Sequence, residues 1–333
     1  MIFQPSTPLK RRALMALALP AAMMLAACGE SSTATSSAGA ADAGIFVVAS
    51  TNVYGNIAEQ IGGEHVSVDS IINRETQDPH SYEATAQDRL TVSKASLVIA
   101  NGGGYDDYLD QLVASDSTPV LHAVDFADSP AETDVAESSA SATTELASED
   151  AHDGHDHSGS GNEHVWYDLH TMEALAEGIK DQLVTADPDN ADSYEANTKT
   201  FVASLEALTE RTHALAEKNA GKKFAMTEPV PYYLLAETGF ADATPEGFTS
   251  AIEAGNDVPA LVALEMEDAL KAKTFAFLAF NPQTSTPQTD SIRGTAEDNG
   301  IPVLDFLELL PEGKNFQEWM SENISSIEGV SAK

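Results

Sequence analysis

Two histidines and a few carboxylates stand where a folded chain could bring them to one point. His80 lies in Asp78-Pro-His80-Ser-Tyr82, and His164 in Glu163-His164-Val-Trp166-Tyr-Asp168. Glu228 sits in Thr227-Glu228-Pro229, while Asp305 and Glu308 share the run Val303-Leu-Asp305-Phe-Leu-Glu308. Two imidazoles with one or two carboxylates form a four-coordinate or slightly expanded site suited to a first-row divalent metal. Singly, each has a plainer explanation: a loop histidine usually caps or meets solvent, and a strand-end acid is usually solvated. Imidazole binds metal only when neutral, so affinity is expected to fall as the histidines protonate.

The surrounding elements have to decide whether these residues meet. Ile45 to Ala49 is a short apolar run, Val53 to Ile61 suits a helix, and His65 to Ile72 alternates as a strand does. A helix over Glu83 to Lys94, a buried strand over Leu97 to Ala100 and a strand over Pro119 to Val124 follow. After Asp187-Pro188, Tyr194, Phe201, Leu208 and Leu215 recur every seven residues, predicting one long amphipathic helix to about Asn219. A second set then reads Lys222 to Thr227 as strand, Tyr232 to Glu237 and Pro259 to Lys273 as helices, and Phe275 to Phe280 as strand. It continues with a helix over Asp290 to Asn299, a strand over Pro302 to Asp305, and a closing helix through Phe316, Trp319, Ile324 and Ile327. Strands alternating with helices favour parallel sheets covered on both faces. The expected fold is α/β with two lobes, each a parallel sheet flanked by helices, joined by one long linking helix. Ligands in such sheets bind beyond the carboxyl ends of the strands. The inter-lobe cleft is therefore the expected metal site, with lobes over 44–187 and 220–333 and the linking helix over 188–219.

The start of the chain indicates where it works. Lys10, Arg11 and Arg12 precede an apolar run from Ala13 to Ala27, shorter than a membrane-spanning helix requires. Leu25-Ala-Ala-Cys28 resembles a bacterial lipobox, so 1–27 reads as a lipoprotein signal peptide and Cys28, the one cysteine, as the lipidated residue. Residues 28–43 read as a flexible tether. An acidic insertion covers about 128–162 and carries His152, His155 and His157. With 17 basic against 53 acidic residues, the net charge of −36 repels nucleic acid and excludes it as a partner.

Taken together, these segments resemble the zinc/manganese solute-binding lipoproteins of ABC importers (cluster A-I metal-binding receptors, which include lipoprotein adhesins). The resemblance rests on Asp78-Pro-His80-Ser-Tyr82-Glu83, on His164-Val-Trp166 behind a His-bearing loop, and on Thr227-Glu228-Pro229 ending the first strand of the second lobe. It extends to Pro311-Glu-Gly313 and Trp319-Met320 and covers essentially the whole mature chain. It implies a receptor, not an enzyme, that captures Zn2+ or Mn2+ as transported ligand and delivers it to an ABC permease. It also implies His80 and His164 as first-lobe ligands, Glu228 as the third, and Glu308 or Asp305 as the fourth, with Glu308 slightly preferred. The glutamate at the third position, where many zinc-specific relatives have histidine, brings manganese forward, whereas zinc binds such ligands more tightly in general. His152, His155 and His157 are expected to form an accessory low-affinity site. The protein is expected at the cell membrane, lipid-anchored through Cys28 on the extracytoplasmic face, as a monomer. A surface adhesin or, further off, a secreted metalloenzyme are the rival readings.

Several other residues carry less. Gly102-Gly-Gly104 lacks phosphate-loop spacing and reads as a tight strand-to-helix turn. His65, His122 and His213 read as structural or surface residues, and His170 is near enough in sequence to His164 to be a candidate for supporting it, with a bland role as the alternative. Asn281-Pro-Gln283 is expected to line the cleft without ligating.

Overall fold

The computed structural model describes residues 44–74, 77, 79–113, 118–127 and 161–332. The signal peptide, Cys28, the tether, Asp78 and the insertion histidines His152, His155 and His157 lie outside the described residues.

The first lobe runs β1 (Ile45–Thr51), α1 (Asn52–Gly62), β2 (Val66–Ile72), α2 (Ala86–Val92), β3 (Leu97–Ala100), α3 (Asp107–Leu112) and β4 (Val120–His122). These strands form one parallel sheet in the order β2-β1-β3-β4. The central strands explain the apolar runs: Val47, Val48 and Ala49 of β1 and all of β3 are buried, because helices cover both faces. Two helices follow, α4 (Leu169–Ala186) and α5 (Ala191–Asn219). The second lobe comprises β5 (Lys223–Met226), α6 (Tyr232–Ala236), β6 (Ala241–Asp242), α7 (Phe248–Glu253), α8 (Ala260–Lys271), β7 (Leu278–Phe280), α9 (Pro287–Asp298) and β8 (Val303–Asp305). Its strands are also parallel, in the order β6-β5-β7-β8, repeating the first sheet. The chain ends in α10 (Phe316–Ser331).

The two-lobed α/β architecture expected from the sequence is the one observed, with α5 between the sheets. At 1.5 Å per residue its 29 residues span about 44 Å. Its buried stripe is Tyr194, Phe201, Leu205, Leu208 and Leu215, the heptad spacing seen in the sequence. One continuous apolar cluster runs from Ile45 and Ile57 through α4 and α5 to Phe224, Phe277, Phe306 and Trp319, so both lobes share a core behind the cleft. Leu205 is fully buried in it, and truncation there to alanine is expected to cost about 2–5 kcal/mol.

The segment after β8 is stitched back to the first lobe. Asn52 donates through Nδ2 to Leu310 O at 2.8 Å and accepts from Leu310 N at 3.0 Å. Tyr167 donates to Leu307 O at 2.8 Å, and Phe316 N donates to Asn56 Oδ1 at 2.9 Å.

Local signals account for the departures from expectation. The helix expected from Glu83 starts at α2, because the Thr85 hydroxyl and the Asp88 carboxylate close a capping box there. The strand expected from Phe275 shortens to β7, although Ala276 N and Phe277 O still bond to β5. The short elements α3, β6 and α7 were not anticipated. Two to six residues carry too little periodicity to read.

Candidate metal centre

His80 stands in the loop after β2, where Tyr82 N closes a turn onto Pro79 O at 3.3 Å. Its Nδ1 lies 3.3 Å from Glu163 Oε1, and its Nε2 3.2 Å from Glu308 Oε2. His164 precedes a 3-10 turn, Val165–Tyr167, whose three buried side chains anchor the loop in the core. Asn162 Oδ1 lies 3.1 Å from His164 N and 2.7 Å from its Nδ1. Asn162 Nδ2 donates to Pro229 O at 3.0 Å, which fixes the amide orientation and makes Oδ1 the acceptor. His164 Nδ1 is therefore the donor and Nε2 carries the lone pair, the tautomer that suits a metal ligand.

The turn after β3 supplies a side chain that the sequence reading missed. Gly102, Gly103 and Gly104 all have positive φ, at 78°, 67° and 98°, and a Cβ on Gly102 would meet Val124 Cγ2 at 2.8 Å. The Asp106 carboxylate ties the turn by accepting from Asn101 N at 2.6 Å and Gly102 N at 2.8 Å. Tyr105 is thereby turned inward and buried. Its hydroxyl donates to Glu308 Oε2 at 3.1 Å, and its ring meets His80 edge-on with centroids 5.1 Å apart.

The carboxylates come from the second lobe. Glu228 directly follows β5 and is buried; its Oε2 accepts from Asn281 Nδ2 at 2.5 Å and Thr284 Oγ1 at 2.6 Å. Glu308 is fully buried, and its Oε1 accepts from the same Asn281 nitrogen at 2.7 Å. Gln283 Oε1 holds the Glu308 backbone by accepting from Glu308 N at 2.6 Å and Leu309 N at 3.2 Å. Burial, with the Glu308 charge nearby, pushes the Glu228 carboxyl up to about 7. Burial also opposes ionisation of Glu308, but the hydrogen bond and charge of His80 outweigh it and hold Glu308 below its ordinary value. In the metal-free cleft, Glu308 carries the negative charge while Glu228 retains a proton near neutrality.

His80, His164 and Glu308 each present one ligand atom within 4.8 Å of the other two. Glu228 lies one shared amide away from that group. Asp305, the alternative to Glu308, points elsewhere: it is half exposed and pairs with Arg293 at 3.4 Å, whose guanidinium lies 4.8 Å from the Phe280 ring centroid. The backbone explains the difference, since Asp305 is the last residue of β8 and Glu308 lies beyond it in the stitched segment. His170 does not support His164. It is 56% exposed and faces Glu173 at 3.5 Å. His65 packs edge-on against Tyr194, His122 pairs with Asp110, and His213 pairs with Glu237.

Asn281 lines the site as expected, whereas Tyr105, Asn162, Glu163 and Thr284 were not picked out. Two signals were available: a triple-glycine turn with a tyrosine after a buried strand, and an acid adjacent to His164. The site opens onto a cavity of about 560 Å³ lined by His80, Glu228, Glu253, Gln283 and Thr284. A larger hollow of about 750 Å³, lined by Asn52, Asp69, Arg74 and Lys314, contains none of the candidate ligands. Among the described residues, no helix is long and apolar enough to cross a membrane.

A family model described as zinc-uptake complex component A, periplasmic (ZnuA), matches residues 47–330. The manganese-binding lipoprotein MntA of Halalkalibacterium halodurans is 32% identical over 192 residues, covering 58% of this chain and 55% of that protein. The match thus spans about half the length of that relative. The manganese ABC transporter substrate-binding lipoprotein scaA of Streptococcus gordonii is 26% identical over 309 residues, covering 87% of this chain and 93% of its own length. Among solved structures, a crystal structure of ZnuA superposes with a TM-score of 0.64 at 20% identity, covering 87% of this chain and 98% of the other. That likeness shows the fold.

Proposed function

We propose a function from one premise: the chain belongs to the periplasmic zinc-uptake component A family, whose model spans residues 47–330. The protein is an extracytoplasmic receptor that captures a divalent transition metal between its lobes and delivers it to the permease of an ABC importer. Cys28 anchors it to the membrane by lipid, and it works as a monomer that binds its cargo without transforming it. The observation that carries this reading is the convergence of His80, His164 and Glu308, with atoms mutually within 4.8 Å, beside buried Glu228.

Capture follows from the hydrogen bonds. His164 offers Nε2 in the required tautomer, and His80 would release its Nε2 proton to solvent and turn that nitrogen from Glu308 to the metal while Glu163 holds Nδ1. Glu308 is already ionised. Glu228 completes the set by giving up its proton and turning from Asn281 and Thr284. Two nitrogens and two carboxylates form a harder set than three imidazoles, which favours manganese relative to a histidine-rich site, while zinc retains the greater intrinsic affinity. MntA and scaA, both named for manganese, support manganese as cargo beside zinc. His152, His155 and His157 act as a low-affinity collector, and deleting 151–161 leaves the tight site in place.

A competition titration of zinc and manganese on the metal-stripped domain from Gly29 onward, with and without His80→Ala, tests the reading. One tight site per chain, lost in the variant, is expected. Weak multi-site binding that the variant leaves unchanged would overturn the cleft assignment and favour the insertion, and with it an adhesive role.

A further inference from the structure

The second lobe contributes one more acid. Because the two sheets share a strand order, β6 holds the place in its sheet that β2 holds in the first. His80 follows β2; α7 follows β6 and ends in Glu253. Glu253 lines the cavity that holds His80 and Glu228, and also a neighbouring hollow of about 390 Å³ lined by Asn162, Pro229 and Tyr233. Its Oε2 is buried and has no hydrogen-bond partner among the described residues. A buried polar atom left this way is costly, so an unmet carboxylate oxygen lining the cavity calls for a hydrogen-bond partner. The charged groups it faces are Glu163, Glu228, His80 and Glu308, all members or neighbours of the candidate site. Burial and those carboxylates push its acid up to about 8, which an arriving dication would reverse.

We propose that Glu253 is an outer carboxylate for the cargo ion, accepting a hydrogen bond from a water that the ion retains, and that it tips selection toward manganese over zinc. Glu253 is outside the group whose atoms lie within 4.8 Å of one another and, unlike Glu228, is not tied to it through Asn281, so it acts through water rather than by direct ligation. Manganese favours octahedral, oxygen-rich shells that keep water, whereas zinc closes a tetrahedral site and sheds it. An acceptor for the retained water therefore stabilises one cargo selectively. The proposal rests on the cleft being the metal site.

The test is a titration of manganese and zinc on Glu253→Gln and Glu253→Ala, with His80→Ala in parallel and thermal melts of each metal-free variant. Manganese affinity is expected to fall about tenfold or more in both Glu253 variants while zinc changes less than about threefold, the scale of losing an outer hydrogen-bond partner. Glu253→Gln replaces an acid that is protonated at neutrality, so its metal-free form is expected to melt no lower than the parent. Equal losses for both metals, or no loss for either while His80→Ala still abolishes the tight site, would overturn the proposal and leave the receptor reading intact. Tight binding that survives His80→Ala would remove both.

Discussion

In the first lobe, β1 to β4 have seven, seven, four and three residues; in the second, β5 to β8 have four, two, three and three. The shared strand order nevertheless delivers residues to the same rim. The longer sheet contributes nitrogen, through His80 and His164, and the shorter contributes oxygen, through Glu228 and Glu308. Their support differs as well. Glu163 and Asn162 hold the two imidazoles at Nδ1, away from the nitrogens a metal would use. Asn281 and Thr284 hold Glu228 at Oε2, and Asn281 also holds Glu308 at Oε1. His164 is pre-set, while His80 Nε2 and Glu228 have to exchange partners.

The sharpest way to break that contrast is His164→Ala. It removes a buried, tautomer-fixed ligand, and the tight site is expected to weaken by more than about a hundredfold, beyond the 10–100-fold typical of outer partners. Metal titration checks it, and a loss below tenfold would mean that His164 is not a pre-set ligand.

Glu228→Gln comes next and should act in two opposite senses. Metal affinity is expected to fall by more than about tenfold, at or above the loss of an outer partner, while the metal-free protein gains stability at high pH. The sign follows from protonation. The folded-state carboxyl sits at about 7 against an ordinary 4.5, so the folded chain holds the proton more tightly than the unfolded one. That penalty is absent below about 4.5, grows as pH rises, and is complete above about 7, where it reaches about 3 kcal/mol. Melting temperature of the metal-free protein should decline across that window and decline less in Glu228→Gln. Identical profiles for parent and variant would show that Glu228 ionises normally. By the same linkage, metal affinity of the parent should fall as pH drops below about 7 by up to about tenfold per unit from this group alone. The smallest expected effect belongs to Asp305→Asn, which should leave both metal affinities within about twofold, since surface pairs such as Asp305 with Arg293 contribute little. A loss comparable to Glu228→Gln would return Asp305 to the ligand set.

Much of this could be read in the sequence because the informative patterns are periodic or punctuated. The apolar run Ile45 to Ala49 of β1, the fully apolar β3, the heptad stripe of α5 and the Asp187-Pro188 break carried the architecture. The ligand candidates stood out because histidine and acid follow strands in both halves. What could not be read depends on tertiary contact. Glu308 and Asp305 are three residues apart, and the choice between them turns on Asn52 clamping Leu310 and on Arg293 reaching Asp305. Tyr105 and Asn281 are ordinary loop residues until the turns that aim them are built. Glu253 ends a six-residue helix flanked by Gly247 and Gly255, whose pattern carried no periodic signal.

The segment 307–310 bears on how fast cargo would leave. It is fastened to the first lobe through backbone atoms, by Asn52 at Leu310 and Tyr167 at Leu307. From the second lobe, Asn281 and Gln283 reach Glu308 through two amide side chains in one loop. If those two amides let go, Glu308 stays with the histidines while Glu228 departs with its sheet. Dissociation would then proceed in stages, from four ligands to three before the ion is free, and its rate would be set by one short loop rather than by swinging an entire lobe. That loop is where a docked permease would have the most leverage over residence time.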